Sequence, residues 1–162
     1  MGFFDPVDLA LPTSREAIRA MQSARKPLAL EQAKKAPFYK GRLDHIDPTR
    51  LDDPEEWAKI PLLDKEMLRE IGIDAFNDQF LIAPPEEIIE YWRSGGATGV
   101  PLFYPRSRAD MEACMVQLCR CWAITGCGPA DILHNSFPLG VHPAGHLWAR
   151  SANAMGIGVM WA

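Results

Sequence analysis

The sequence predicts an α/β fold in which a mainly helical segment, residues 1–85, precedes the start of a layered parallel or mixed sheet with crossover helices, residues 86–162. Helix-start signals and proline-rich corners recur through the first segment. A glycine-rich stretch then separates two short apolar runs, which is typical of a hairpin. Near the end, an apolar strand, a helix and a second apolar strand follow one another, and this crossover order implies a parallel sheet.

Length and composition indicate one globular domain, here an incomplete one spanning residues 1–162. The chain is 48% hydrophobic and 23% charged, as ordinary globular proteins are. Its net charge of -4 argues against a nucleic-acid surface, which should be basic. No apolar run reaches membrane-spanning length, and the first residues lack the features of a signal peptide. We therefore expect a cytoplasmic protein with neither nucleic-acid nor membrane partners.

The helical segment is divided by its caps and prolines. Residues 13–16, Thr-Ser-Arg-Glu, match a capping box that opens the first helix, and Pro27 is expected to end or kink it. Asp53, followed by Pro54, predicts the start of a second helix that Trp57 and Ile60 should anchor. A third helix is expected to begin after Asp64.

Strands and helices are predicted to alternate in the second half. The strand runs flank the glycine loop, and Ser107 is placed as the cap of a long helix that Gly126 or Gly128 ends. The Met and aromatic stripe of this helix is typical of core. In chain order, the predicted elements are strand 88–93, strand 102–104, a helix from 107, strand 131–137, helix 144–155 and strand 158–162.

The loop at residues 94–101, Ser-Gly-Gly-Ala-Thr-Gly-Val-Pro, has the composition of a phosphate cradle. Glycines allow positive φ and a close approach of the backbone, and the hydroxyls of Ser94 and Thr98 can add donors. The pattern differs from the common P-loop because Val100 stands where a lysine is expected and Pro101 blocks direct entry into a helix. On these residues alone, an ordinary hairpin loop is the alternative interpretation.

The same loop resembles the Ser-Ser-Gly-Thr-Thr-Gly-Lys-Pro signature of the AMP-forming acyl-CoA ligases, and in particular of the phenylacetate-CoA ligase family. Three substitutions depart from that signature, at Gly95, Ala97 and Val100. They remove two hydroxyls and one cation. Because a lysine offers three donors and a compact charge to a phosphate, its loss should weaken ATP binding or move that role elsewhere.

Other segments resemble the same family in the same order. Residues 36–40, Ala-Pro-Phe-Tyr-Lys, are similar to its Thr-Pro-Tyr-Tyr-Arg segment, and residues 60–69 are similar to Leu-Pro-Phe-Thr-Thr-Lys-Glu-Asp-Leu-Arg. Phe137, Gly140 and residues 155–162 are similar to the family's Tyr-x-x-Gly … Leu-Gly-Ala-Thr-Val-Val-Pro-Ala region. This ordered match covers nearly the whole chain and is more specific than the loop.

The resemblance implies the N-terminal part of an adenylate-forming ligase domain, with ATP, Mg²⁺ and coenzyme A as cofactors and an aromatic or other carboxylic acid as substrate. The catalytic residues of this chain are not identified by it. The implied cofactor-binding residues lie in the loop and the implied substrate-binding residues follow the third strand. These residues are Ser94, Gly95, Gly96, Thr98 and Gly99 for the nucleotide, and Phe137, Gly140 and His142 for the acid.

The family's adenine-contacting motif, its metal-binding acid, its ribose-binding aspartate and its catalytic lysine would lie beyond Ala162. We therefore expect that this chain alone is catalytically inactive and requires the rest of the ligase or a partner subunit. An apolar last strand, left as a sheet edge, would invite association, so a homo-oligomer is also expected. The alternative hypothesis is a non-catalytic binding or assembly subunit that retains the ligase fold.

Two further patterns bear on chemistry. His142 and His146 are four residues apart, but Pro143 and Gly145 intervene and no third ligand is near, so no metal site is predicted. His134 and the two polar residues after it end the third strand, where open α/β sheets usually bind ligands. The four cysteines lack zinc-site spacing and are expected to be reduced thiols, mostly buried or half-buried.

Overall fold

The computed structural model describes residues 9–94, 101 and 103–161, apart from the side chains of residues 73 and 74. These residues form two compact units: residues 12–84 are the helical unit, and residues 85–161 with 9–11 are the α/β unit. None of the described helices combines the length and hydropathy that a bilayer-spanning segment requires.

The helical unit contains four α-helices and two short 3-10 turns at prolines. Side-chain caps begin three of these four helices: Asp53 accepts the amide of Glu55 at 2.9 Å, and Asp64 caps the next helix in the same way. The first helix is capped by Ser14 and not by Thr13, because Ser14 Oγ accepts the amide of residue 17. The elements are α1 Arg15–Ala33, turns Pro37–Tyr39 and Pro48–Arg50, α2 Pro54–Trp57, α3 Lys65–Ile71 and α4 Ile73–Phe80.

Pro27 does not end the first helix, as one part of the expectation had it, because α1 continues through Pro27 to Ala33. A proline inside a helix removes one amide donor and crowds the preceding turn, which costs about 3 kcal/mol. The neighbouring Lys26 offsets part of this cost. Its ammonium donates to the carbonyl of Leu51 at 3.1 Å and to Asp52 at 2.9 Å, and so holds the helix to a distant turn at this point.

The core of the helical unit lies between α1 and the turns that follow it. Leu30, Leu43, Ile46 and Leu51 are buried together. Of the two expected anchors, Ile60 packs against this core, whereas Trp57 does not bury its ring and is 48% exposed. α2 is also held by Glu56, whose side chain is only 2% exposed.

Glu56 is a buried carboxylate with partners on both oxygens. Oε1 accepts the amide of Asp47 at 2.9 Å, and Oε2 accepts the ammonium of Lys59 at 2.7 Å, with the Arg50 guanidinium 3.8 Å away. The hydrogen bond from Lys59, then that from Asp47, and the charges of Lys59 and Arg50 lower the pKa of the Glu56 carboxyl, while burial opposes them. A buried charge persists only when it is paired and hydrogen-bonded in this way.

We predict that Glu56→Gln lowers the melting temperature at pH 7 by about 5 °C or more, because it removes one partner of a buried ion pair. The folded-state pKa lies below the ordinary value of 4.5, so the stabilisation is complete above that pH and is lost as pH falls through the folded pKa. Thermal melts across this range should therefore show the difference between variant and wild type narrowing on acidification. Glu55→Gln, at an exposed neighbour, is the control; an equal loss in both variants would contradict the assignment.

The α/β unit has two two-stranded sheets and two long helices, with one more 3-10 turn at Pro85–Glu87. The first sheet is an antiparallel hairpin, and the second is a parallel pair joined by a helix. Its elements are β1 Ile88–Arg93, β2 Phe103–Ser107, α5 Arg108–Thr125, β3 Ile132–Asn135, α6 Ala144–Ala154 and β4 Gly158–Trp161.

The parallel pair confirms the strand, helix, strand unit that the sequence predicts. β3 and β4 lie in parallel register, with Leu133 opposite Val159, and α6 is the connection between them. Buried Ala149 and Ala152 on α6 and Ile157 before β4 pack this unit closely. The α/β fold class is therefore confirmed, with helices first and small sheets after them.

Helix α5 begins and ends as its sequence predicts. Ser107 and Asp110 form a capping box, in which each side chain accepts the other residue's amide. Gly126 ends the helix in the left-handed conformation, at φ 76°, a position that favours glycine. Met111, Met115 and Cys119 form its buried stripe. This stripe faces the protein interior and packs α5 against the rest of the α/β unit.

Candidate functional site

The antiparallel hairpin β1–β2 presents the glycine loop. Its strands remain paired up to the loop, since Trp92 is opposite Tyr104 and Arg93 is opposite Phe103. Of the predicted cofactor-binding residues, Ser94 directly follows β1. The other four, Gly95, Gly96, Thr98 and Gly99, lie outside the described residues, so their role stays a prediction.

The segment between β3 and α6 holds the predicted substrate-binding residues, and Asn135 ties it down. Asn135 is 4% exposed at the carboxyl end of β3. Its Nδ2 donates to the carbonyl of Gly145 at 3.1 Å, and its Oδ1 accepts the amide of Phe137 at 3.4 Å. Both ends of the segment are therefore attached to one buried side chain. The sequence pattern indicates that Asn135 is a polar residue at a strand end, but it carries no signal for this connection.

The two predicted parts of the site meet in the fold. The amide of Arg93 donates to the carbonyl of Val141 at 3.2 Å. Ser94 follows Arg93, and Val141 stands between Gly140 and His142. The start of the glycine loop and the predicted acid-binding segment, far apart in sequence, are thus joined by a backbone hydrogen bond.

A cavity of about 320 Å³ lies beside this segment, between α5, α6 and the end of β3. Phe137, Leu133 and two tryptophans, Trp122 and Trp148, supply most of its apolar wall, and His134 is among its polar lining. Small-molecule sites are commonly concave, mainly apolar and supplied with a few polar groups. The cavity can therefore accept an apolar or aromatic group.

Two of the predicted substrate-binding residues lie on the exposed part of the same segment. Gly140 is open, with no atom within 4 Å of the position that a Cβ would occupy. His142 is exposed, and its Nδ1 accepts the amide of Ala144 at 3.4 Å, next to the start of α6. Of the three, Phe137 is the residue that lines the described cavity.

The two tryptophans of the cavity were not predicted as site residues. Trp122 was assigned to the core stripe of α5, and its indole N–H does donate to Ser151 at 2.9 Å. Its ring meets that of Trp148 edge to face, with the centroids 5.2 Å apart. Helical spacing alone indicates only that such residues are inward-facing, so their place in a cavity could not be read from it.

Metal and thiol chemistry have little support among the residues that the structure describes. There, no group of three or more His, Cys, Asp or Glu side chains could hold a metal ion. Cys119 is buried and Cys121 is exposed, and all four cysteines are free. Burial raises the pKa of the Cys114 and Cys119 thiols, which disfavours the reactive thiolate.

Comparison with known proteins shows which proteins this chain resembles. No family model matches the sequence. The chain is 30% identical over 149 residues to phenylacetate-coenzyme A ligase of Thermus thermophilus, an alignment that covers 90% of this chain and 33% of that enzyme. The resemblance to the phenylacetate-CoA ligases is confirmed. The chain spans about a third of the length of this relative.

Solved structures agree with this ligase resemblance at the level of the fold. The chain matches 2-hydroxyisobutyryl-CoA ligase in complex with 2-HIB-AMP and CoA, with a TM-score of 0.78 and 19% identity, over 97% of this chain and 35% of that one. An open conformation of the same ligase matches with a TM-score of 0.77 and 20% identity, over 93% of this chain and 36% of the ligase. The fold is that of the N-terminal part of an adenylate-forming ligase.

We predict that Gly145→Ala destabilises the segment that carries Phe137. A Cβ on Gly145 would lie 3.1 Å from Phe137 Cβ and 3.2 Å from the carbonyl oxygen of Pro138, so the backbone of the segment must shift. Such overpacking costs about 1–3 kcal/mol, measurable as a lower urea midpoint. Gly140→Ala is the matched control because it has open space and no left-handed φ. Equal midpoints for the two variants would contradict this account.

Proposed function

We propose that this chain forms part of an AMP-forming acyl-CoA ligase, to which it contributes the ATP phosphate loop and one wall of the acyl pocket. The observation that carries the proposal is the hydrogen bond between Arg93 and Val141. It brings the start of the glycine loop to the segment with the predicted acid-binding residues, and the reaction requires ATP and acid to meet. The sequence relative, a phenylacetate-CoA ligase, supports the reaction class.

The proposed reaction has two steps. An acid carboxylate attacks the α-phosphate of ATP, which gives an acyl-adenylate and pyrophosphate. The thiolate of coenzyme A then attacks the acyl carbon, and AMP leaves. Charge on the departing pyrophosphate must be stabilised by oriented donors. The hydroxyls of Ser94 and Thr98 and the backbone amides of Gly95, Gly96 and Gly99 would supply those donors. The Mg²⁺ that accompanies ATP would neutralise phosphate charge, and no described residue is assigned to it.

The acid-binding role falls to the segment after β3. Phe137 would bound the acyl group from inside the cavity, while Gly140 and His142 would line its approach on the exposed side. The aromatic rings of Trp122 and Trp148 suit an apolar acid, and an aryl ring in particular, because aromatic pairs favour edge-to-face packing. We propose an aromatic or other apolar carboxylic acid as the substrate class. A cytoplasmic location, where ATP and coenzyme A are supplied, accords with this activity.

We predict that the 162-residue chain binds Mg·ATP weakly and that the binding depends on the loop. Ser94→Ala and Thr98→Ala should each weaken it by about fivefold, as expected for one lost hydrogen bond to an anion. Gly96→Val should abolish it, because a branched side chain prevents close approach of the backbone. Isothermal titration calorimetry measures all three effects.

The matched control for these loop variants is Gly128→Ala, which has open space around it in the turn after α5. It should bind Mg·ATP as the wild type does. Undiminished binding in Gly96→Val would remove the phosphate loop from the proposal. Formation of acyl-adenylate by this chain alone would overturn its assignment as only a part of the catalytic machinery.

A non-catalytic binding or assembly subunit is the second candidate. The substitutions at Gly95, Ala97 and Val100 favour it, since they remove donors from the cradle. Exposed apolar side chains on the parallel pair favour it as well: Ile132 is 70% exposed and Met160 is 56% exposed. Native mass spectrometry of the protein from its source separates the two. A heavier chain, or a complex with a second chain that forms acyl-adenylate, supports the ligase, whereas a complex without that activity, or a lone 162-residue species, supports the binding or assembly subunit.

A further inference from the structure

Glu90 on β1 is the side chain at which the hairpin meets α6. Its Oε1 accepts Arg150 Nη1 at 2.5 Å, and its Oε2 accepts the indole Nε1–H of Trp92 at 2.9 Å. Arg150 lies on α6, sixty residues further along the chain. One carboxylate therefore joins its own strand to a helix that is distant in sequence, and each of its oxygens has a specific donor.

Trp92 is fixed from the other strand of the hairpin. Glu90 and Trp92 are two residues apart on β1 and so share one face, which is half-buried. The guanidinium of Arg106, on β2, lies 4.8 Å from the centre of the Trp92 ring, at cation–π distance. Trp92 is thus held between Glu90 and Arg106, and the acceptor of its indole is the same group that binds Arg150.

The charge state of Glu90 suits this arrangement. Partial burial alone would raise the pKa of the Glu90 carboxyl, but the hydrogen bonds from Trp92 and Arg150, and the charges of Arg150 and His146, hold the pKa below its ordinary value. The carboxyl is therefore ionised at neutral pH. Because an ionised carboxylate only accepts hydrogen bonds, it can bind both donors, which come from different elements of the fold.

The contribution of the Glu90–Arg150 ion pair to the free energy of unfolding indicates which role the pair can have. Arg150 is 50% exposed and Glu90 is 26% exposed, and ion pairs with such access to water contribute little to overall stability. The pair instead lies where it can fix the position of β1 relative to α6. From the same strand, the Arg93 amide binds Val141, so β1 is attached to residues 141–150 by one backbone bond and one side-chain bond. Two separated attachments prevent the rotation that a single one permits.

We propose that Glu90 and Arg150 are a positioning pair that orients the hairpin, and hence Ser94, against the segment with Phe137 and His142. The inference rests on the proposed nucleotide-binding function of the loop. Neither residue touches the reacting atoms in this assignment. Their effect on nucleotide affinity is indirect, through the direction in which β1 delivers the chain into the loop.

Arg150→Met tests the pair, since it keeps the length of the aliphatic side chain and removes the donor. We expect hydrogen exchange at the Arg93 amide to accelerate by about tenfold, because a local contact that limits opening is lost. The indole N–H resonance of Trp92 should shift, since Glu90 loses its second partner. The affinity for Mg·ATP should fall by about fivefold, the lower range of coupling between sites, while the urea midpoint changes little.

Three companion variants make the test specific. Arg150→Lys should restore most of the affinity, because it keeps the charge near Glu90. Glu90→Gln combined with Arg150→Met should weaken Mg·ATP binding no more than Arg150→Met alone, since residues that act as a unit are not additive. Arg108→Met, at an exposed arginine that begins α5, should leave both exchange and affinity unchanged.

The outcomes separate this inference from the proposed function. Unchanged Arg93 exchange and an unmoved Trp92 resonance in Arg150→Met overturn the positioning pair, whatever the affinity. If both change but the wild-type chain binds no Mg·ATP, the pair orients the hairpin and its role in nucleotide affinity is overturned together with the phosphate loop. Additive losses in the double variant would show that the two residues act separately and would also overturn it.

Discussion

The hydrogen bond from the Arg93 amide to the Val141 carbonyl is the constraint on which the candidate site depends. Without it, the described residues of the hairpin and the segment before α6 would have no direct backbone connection, and β1 would be tied to α6 by the contact of Glu90 with Arg150. A backbone bond is largely independent of the side chains at its ends, so it fixes relative position without restricting the chemistry beside it. Ser94, Gly140 and His142 are each adjacent in sequence to one of its two ends, and their proximity follows from it.

Replacement of the family's lysine by Val100 leaves the loop without a cation of its own. Two arginines of the α/β unit are engaged in other contacts: Arg106 lies over the ring of Trp92, and Arg150 binds Glu90. Phosphate binding would therefore rest on hydroxyls and backbone amides, which accords with weak affinity in the chain by itself.

Local signals predicted much of the fold, and long-range contacts account for the differences. Ser107, Gly126 and Asp64 act within one turn of their own helix, so their roles could be derived from sequence. α1 continues through Pro27 at the point where Lys26 contacts Leu51, and Glu56, not Trp57, occupies the buried position on α2. Such pairings join distant residues. In the candidate site, Phe137 was predicted from the resemblance, whereas Asn135, Trp122 and Trp148 acquire their places only through tertiary packing.

Specificity for the acid would come from the segment that Asn135 holds and from the aromatic wall on α5 and α6. Asn135 binds the segment at both ends. Gly145 lies so close to Phe137 and Pro138 that a larger residue at this position would force them to move. The aromatic wall stands on α5 and α6, which are packed helices, while the loop is delivered by a two-stranded hairpin. Sites on packed elements hold their geometry better than sites on loops. The pocket for the acid would therefore be fixed by packed helices, whereas the orientation of the hairpin must be maintained by the hairpin's own contacts. Glu90 makes one of these contacts, because it joins β1 to α6.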